Sequence, residues 1–136
     1  MDIRKFQESD RTEVIALWEQ CELVRPQNHP DSDIDLKMSF QPDLFFVGVE
    51  NELIVATVMA GYQGHRGWIN YLAVDPNIQR SGNGEAMMDY AEDALKKLGC
   101  VKINLQVRST NSAVLGFYDS IGYVKDEVTS LGKRLS

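Results

Sequence analysis

The residues best suited to chemistry lie in one short run near the middle of the chain. Leu72-Ala73-Val74-Asp75-Pro76 reads as the end of a strand, and Gln79-Arg80-Ser81-Gly82-Asn83-Gly84 leads from it into a helix. A helix start presents unbonded backbone N–H groups and the positive end of the helix dipole. Glycines let the backbone approach a ligand closely, so the pattern predicts a cradle for a phosphate or pyrophosphate. Two phosphate motifs are excluded. A P-loop needs Lys and then Ser or Thr after its last glycine, but Glu85 and Ala86 follow Gly84. The Rossmann fingerprint needs a third glycine three residues after its second, and Met87 stands there. Readings as an ATP or NAD site through these motifs both fall. The two histidines, His29 and His65, lack ligand partners at useful spacing, so no metal site is expected.

What remains is Gln79-x-x-Gly82-x-Gly84 after Leu-Ala-Val-Asp-Pro. This block resembles the acyl-CoA-binding motif of the GCN5-related N-acetyltransferase (GNAT) superfamily. Downstream, Asn111-Ser112-Ala113, Phe117-Tyr118 and Gly122-Tyr123 resemble the same family's second signature, at the family's spacing. A finer resemblance, to the small YpeA-type acetyltransferases, rests on three further segments. They are Leu23-x-Arg25-Pro26, Gly61-Tyr62-x-Gly64-His65-Arg66-Gly67 and Ser130-Leu131-Gly132-Lys133-Arg134-Leu135.

The resemblance implies roles. Acetyl-CoA is the implied co-substrate, with no metal. Backbone groups of Leu72, Ala73 and Val74 would pair with the pantetheine arm like an added strand and polarise the thioester carbonyl. The backbone of Gln79, Arg80, Ser81, Gly82, Asn83 and Gly84 would hold the pyrophosphate, and Asn111 would bond pantetheine. Tyr118 would protonate the departing thiolate, a task suited to a phenol because its pKa of about 10 keeps it protonated. Asn83 stands where the family often carries a basic or bulky residue, and Glu85 where an apolar one is usual; Arg80 supplies a compensating charge. The implied reaction is direct attack of a primary amine on the thioester in a ternary complex. The acceptor is read as a small-molecule amine, against a protein N-terminus or a silent acyl-CoA sensor. No residue stands out as the base; Asn70, Tyr71 and a water chain from acids of the first half are the candidates. Read alone, Tyr118 would be core packing and Asn111 a helix N-cap.

Other elements must position these residues. Ile3–Phe6 is a strand candidate. Ser9 or Asp10 can cap a helix running to about Cys21, with Val14, Leu17, Trp18 and Cys21 at helical spacing. Residues 25–30 form a loop around two prolines. Asp31, Ser32 or Asp33 can cap a second helix to about Phe40. Leu44–Val49, a turn at Asn51-Glu52, Leu53–Tyr62 and Trp68–Val74 read as a strand meander. A helix follows over 82–98 with Met87, Tyr90 or Ala91, Ala94 and Leu98 as its apolar stripe, ended by Gly99. Then come a strand over 102–107, a helix over 111–121 and closing strands at Tyr123–Val128 and Gly132–Leu135. The fold class is therefore α/β (α+β mixed): one domain over 1–136, with a mixed, mostly antiparallel central sheet flanked by helices on both faces.

The remaining arithmetic excludes classes. At 136 residues, 43% hydrophobic and 25% charged, the chain has ordinary globular composition. The net charge of -6 makes a poor general binder of nucleic acid. No apolar run approaches the length of a membrane span. No secretory leader is evident, and Cys21 and Cys100 read as reduced, so a cytoplasmic setting is expected. A homodimer stays open. Residues 1–60 carry -7 and residues 61–136 carry +1. With Asp31, Asp33 and Asp35 at the expected acceptor entrance, that imbalance predicts a cationic acceptor held by the summed field.

Overall fold

Near-continuous apolar runs build the central strands, which are buried on both faces, and two turn residues fix the hairpin between them. The structure, a computed structural model, describes residues 1–79 and 81–136 and divides into two units, Met1–Leu105 and Gln106–Ser136. In the first unit, strands β1 (Asp2–Lys5), β2 (Phe45–Glu50), β3 (Leu53–Tyr62), β4 (Gly67–Val74) and β5 (Ile103–Asn104) lie in the order β1-β2-β3-β4-β5. Every pairing is antiparallel except that of β4 with β5. Asn51 and Glu52 take φ of +50° and +65°, the primed geometry whose twist suits a two-residue hairpin.

Helices cover both faces of this sheet. Helix α1 (Arg11–Gln20) and helix α2 (Pro30–Ser39) bury Val14, Leu17, Trp18 and Ile34 against Phe45, Val47, Ile54 and Met59. Helix α3 (Asn83–Lys97) takes the other face, where the Phe46 ring meets Tyr90 edge-on at 4.9 Å. Alternation along β2 separates the two cores.

Several expectations shift. Asp10 stands at the N-cap of α1, but its carboxylate turns back to accept the Gln7 N–H and both arms of Arg4. Helix α2 begins at Pro30 with His29 as N-cap, not at an acid, because the fixed φ of proline suits a first helical position. The buried stripe of α3 is Met87, Met88, Ala91 and Leu95, while Tyr90 and Leu98 are exposed. Strand β5 is only two residues long.

Beyond the start of β2, side chains replace the missing neighbour of β3. The Gln41 carboxamide donates to the Tyr62 carbonyl at 2.6 Å and accepts its N–H at 2.8 Å. The Lys37 ammonium donates to the Ala60 carbonyl. Lys37 is buried, and burial pushes its pKa down to about 8.

The second unit carries helix α4 (Ser112–Ser120). The closing strands expected at Tyr123–Val128 and Gly132–Leu135 do not form. Val124, Val128, Leu131 and Leu135 are all exposed, and an alternating pattern without a ladder partner or a core does not hold a strand. Among the described residues no helix is long and apolar enough to cross a membrane.

Candidate active site

The expected donor-side residues of the first unit, as far as they are described, lie on β4 and around the start of α3. Strand β4 meets β5 only through Gly67 and Trp68. From Ile69 to Val74 the outer edge of β4 has no strand partner among the described residues. The Asp75 N–H donates to the Val55 carbonyl at 2.8 Å, on the β3 side. Antiparallel ladders alternate, so the backbone groups of Ala73 face β3 as well, and those of Val74 face the open edge. The Val74 carbonyl already accepts the Gln79 carboxamide at 3.0 Å and the Cys21 thiol at 3.3 Å. Its N–H is the group left for a ligand on that edge.

A bulge interrupts β4 upstream. Thr57 pairs with Ala73 and Met59 with Asn70, so Tyr71 and Leu72 together oppose Val58. Tyr71 takes φ +50°, rare for a residue with a side chain. Three side chains hold it there. Trp18 stacks on its ring, with centroids 3.8 Å apart. The Thr57 hydroxyl donates to its carbonyl at 2.8 Å and accepts the Trp18 indole N–H at 2.9 Å. The Tyr71 phenol donates to Asp33 on α2 at 2.5 Å. Burial foremost, then that bond and the charge of Asp33, hold the phenol well above its ordinary pKa. In that bond the Tyr71 phenol is the donor.

After β4, Asp75 caps a short turn by accepting the Asn77 N–H, and the Ser81 hydroxyl donates to the Ile78 carbonyl. Gly82 is the N-cap of α3 at φ +84°, a left-handed conformation that favours glycine. The Ala86 N–H donates to the Gly82 carbonyl, so the N–H groups of Asn83, Gly84 and Glu85 precede the first helical bond and start the positive end of a fifteen-residue helix. Arg80 lies outside the described residues. The arrangement offers an extended ligand an open strand edge, and an anion a helix start beyond it.

Asn111 and Tyr118 belong to the second unit. Asn111 is the N-cap of α4, its Oδ1 accepting the Val114 N–H at 3.3 Å. Tyr118 is buried and lies edge-on to Phe117 and Tyr123, and burial pushes its phenol up to about 12.

The acids of α2 are engaged rather than open. Arg11 binds Asp35 at 2.6 Å and Asp31 at 3.2 Å, besides Glu8 at 2.7 Å. Their hydrogen bonds hold Arg11 firmly in its charged form. Arg11 brings a single positive charge among Glu8, Asp31 and Asp35, and the uncharged Tyr71 phenol leaves Asp33 its own charge, so this corner stays net acidic. Trp68 and Asn70 remain exposed on the face of β4 that α2 overlies, as their partners Gly61 and Met59 place them. Sequence reading missed Thr57 and the link from Asp33 to Tyr71, which no local spacing announces.

The description "Acetyltransferase (GNAT) family" matches residues 10–123. The chain belongs to this family. As a GNAT acetyltransferase it is 45% identical over 135 residues to an acetyltransferase of Yersinia enterocolitica, covering 99% of this chain and 96% of that protein. Solved GNAT structures share its fold at lower identity. The ribosomal-protein-S18-alanine N-acetyltransferase of Escherichia coli superposes with a TM-score of 0.74 at 23% identity, covering 89% of this chain and 76% of that one. The PaiA N-acetyltransferase of Thermoplasma acidophilum, solved with coenzyme A, gives 0.76 at 18% identity, covering 94% and 92%.

Proposed function

We propose that this GNAT acetyltransferase moves the acetyl group of acetyl-CoA to the primary amine of a small molecule, by direct attack in a ternary complex. The observation that carries the reading is the bulged, open edge of β4 running into the start of α3. Pantetheine would add to that edge through the Val74 N–H, and the thioester carbonyl would meet the backbone at Leu72. The N–H groups of Asn83, Gly84 and Glu85 would face the pyrophosphate. Asn111 would bond pantetheine through its Nδ2, since its cap uses only Oδ1. Tyr118 would meet the departing sulfur as a protonated phenol.

A small acceptor is favoured over an extended peptide because α2 is tied down over β4, at Tyr71 through Asp33 and at α1 through Arg11. A screen of free CoA release across polyamines, amino acids, aminoglycosides and short peptides tests both parts. Turnover restricted to peptides would overturn the acceptor reading. No acetyl-CoA binding at all would overturn the donor reading.

A further inference from the structure

Tyr71 holds its position at the cost of backbone strain, since a residue with a side chain rarely adopts positive φ. Trp18 and Thr57, which help to hold it, are fully buried in the α1 side of the first unit. Asp33 differs from both. It is half-buried and sits on α2, between Asp31 and Asp35, which reach across to Arg11. The 2.5 Å bond from the phenol to Asp33 therefore links the helix over the acceptor face to the strand residue next to Leu72. The raised pKa of Tyr71 keeps the phenol protonated as the donor in that bond.

We propose that Asp33 is a positioning residue for the acyl donor: by holding the Tyr71 phenol it fixes the turn of the Tyr71–Leu72 peptide, and with it the backbone group that the acyl carbonyl meets. This rests on the reading above that the thioester lies along β4. Its consequence is a division of labour in donor binding. The part of the affinity that depends on the acetyl group passes through Asp33. The part that depends on the phosphates, held at the start of α3, does not.

Calorimetric titration with two probes, acetyl-CoA and CoA, tests this in wild type, Asp33→Leu, Asp33→Asn and Tyr71→Phe, each first checked for folding by thermal unfolding. Wild type should prefer acetyl-CoA. Asp33→Leu and Tyr71→Phe should lose that preference by roughly tenfold, the value of one hydrogen bond, while CoA affinity stays within about twofold. Asp33→Asn, whose carboxamide oxygen still accepts the phenol, should keep it. The double variant Asp33→Leu/Tyr71→Phe should be no worse than either single one. An unchanged preference in Asp33→Leu, an equal fall for both probes, or no preference in wild type overturns the proposal. If Asp33→Leu does not fold, Tyr71→Phe decides by the same criteria. Wild type that binds neither probe overturns the donor reading itself, a distinguishable result.

Discussion

Trp18 of α1 and Tyr71 of β4 stack with ring planes 13° apart and centroids 3.8 Å apart, and Thr57 joins them by bonding the indole of one and the carbonyl of the other. Aromatic stacking supplies contact area, while the hydroxyl of Thr57 supplies direction. Thr57→Val keeps the shape and removes the hydroxyl. It leaves the buried Trp18 N–H without its acceptor, a loss of about 1–3 kcal/mol. Urea unfolding should show that loss, with an m-value close to wild type. An undiminished midpoint would mean that stacking alone holds the bulge.

Gly82 separates fold from binding in a similar way. A Cβ there would meet nothing within 4 Å, so a side chain costs the fold only the strain of φ +84°. The same side chain would stand at the start of α3, where the pyrophosphate is proposed to lie. Gly82→Val should weaken CoA binding by about tenfold or more, about 1.4 kcal/mol, while the protein remains folded. Gly82→Asn, which tolerates the left-handed region better, should be milder in stability. Calorimetry that finds CoA affinity intact in folded Gly82→Val would remove the helix start from the donor site.

What could be read from the sequence followed from local rules. The hairpin at Asn51-Glu52, the strand Leu53–Tyr62 and the helix after Gly82 each carry their own signal: a turn, a β-rich apolar run, a glycine before an apolar stripe. The order of the first unit followed from them, with β4 ending at Val74 and α3 starting after Gly82. What escaped depends on contacts far apart in sequence. Asp33 lies 38 residues from Tyr71, and Thr57 39 from Trp18. A bulge shows only as a register difference between two strands, and Tyr71 has no glycine to announce its positive φ. The partner of the α2 acids was hidden for the same reason, because Arg11, which pairs with Asp31 and Asp35, is on another helix. The C-terminal segments misled because their alternating pattern states a preference for strand without supplying a partner.

Lys37 gives a pH dependence whose sign can be worked out. In the unfolded chain a lysine titrates near about 10.4, and in the fold burial lowers this one to about 8. Between those values the unfolded state binds more protons, so stability contributed by this group rises with pH there and is lowest below about 8. Lys37→Met has no such term. Wild type should therefore gain on Lys37→Met between pH 7.5 and 10.5, by at most about 3 kcal/mol. Denaturant midpoints for the pair across that range check it. A constant difference would show that the ammonium stays charged and fully compensated against the Ala60 carbonyl.

Tyr118 is a further residue whose acidity the fold alters. An ordinary tyrosine titrates near about 10, but burial pushes this one up to about 12. A phenol so placed stays protonated throughout the working range, yet it is a weaker acid than a thiol of about 8.5. In the proposed role its contribution would be chiefly a hydrogen bond to charge developing on sulfur, with the proton following as the thiolate departs. Tyr118→Phe should lower kcat by about a hundredfold, the low end for a general acid, and leave CoA affinity nearly unchanged. The role requires the protonated form, so its loss would show as a fall of kcat at high pH. Because the phenol is raised, that fall should be absent through pH 10 in wild type. Measuring kcat from pH 7 to 10 for both proteins tests the pair of statements. A wild-type decline centred below pH 10 that disappears in Tyr118→Phe would show a phenol of ordinary acidity, and full turnover by Tyr118→Phe would make Tyr118 a packing residue of α4.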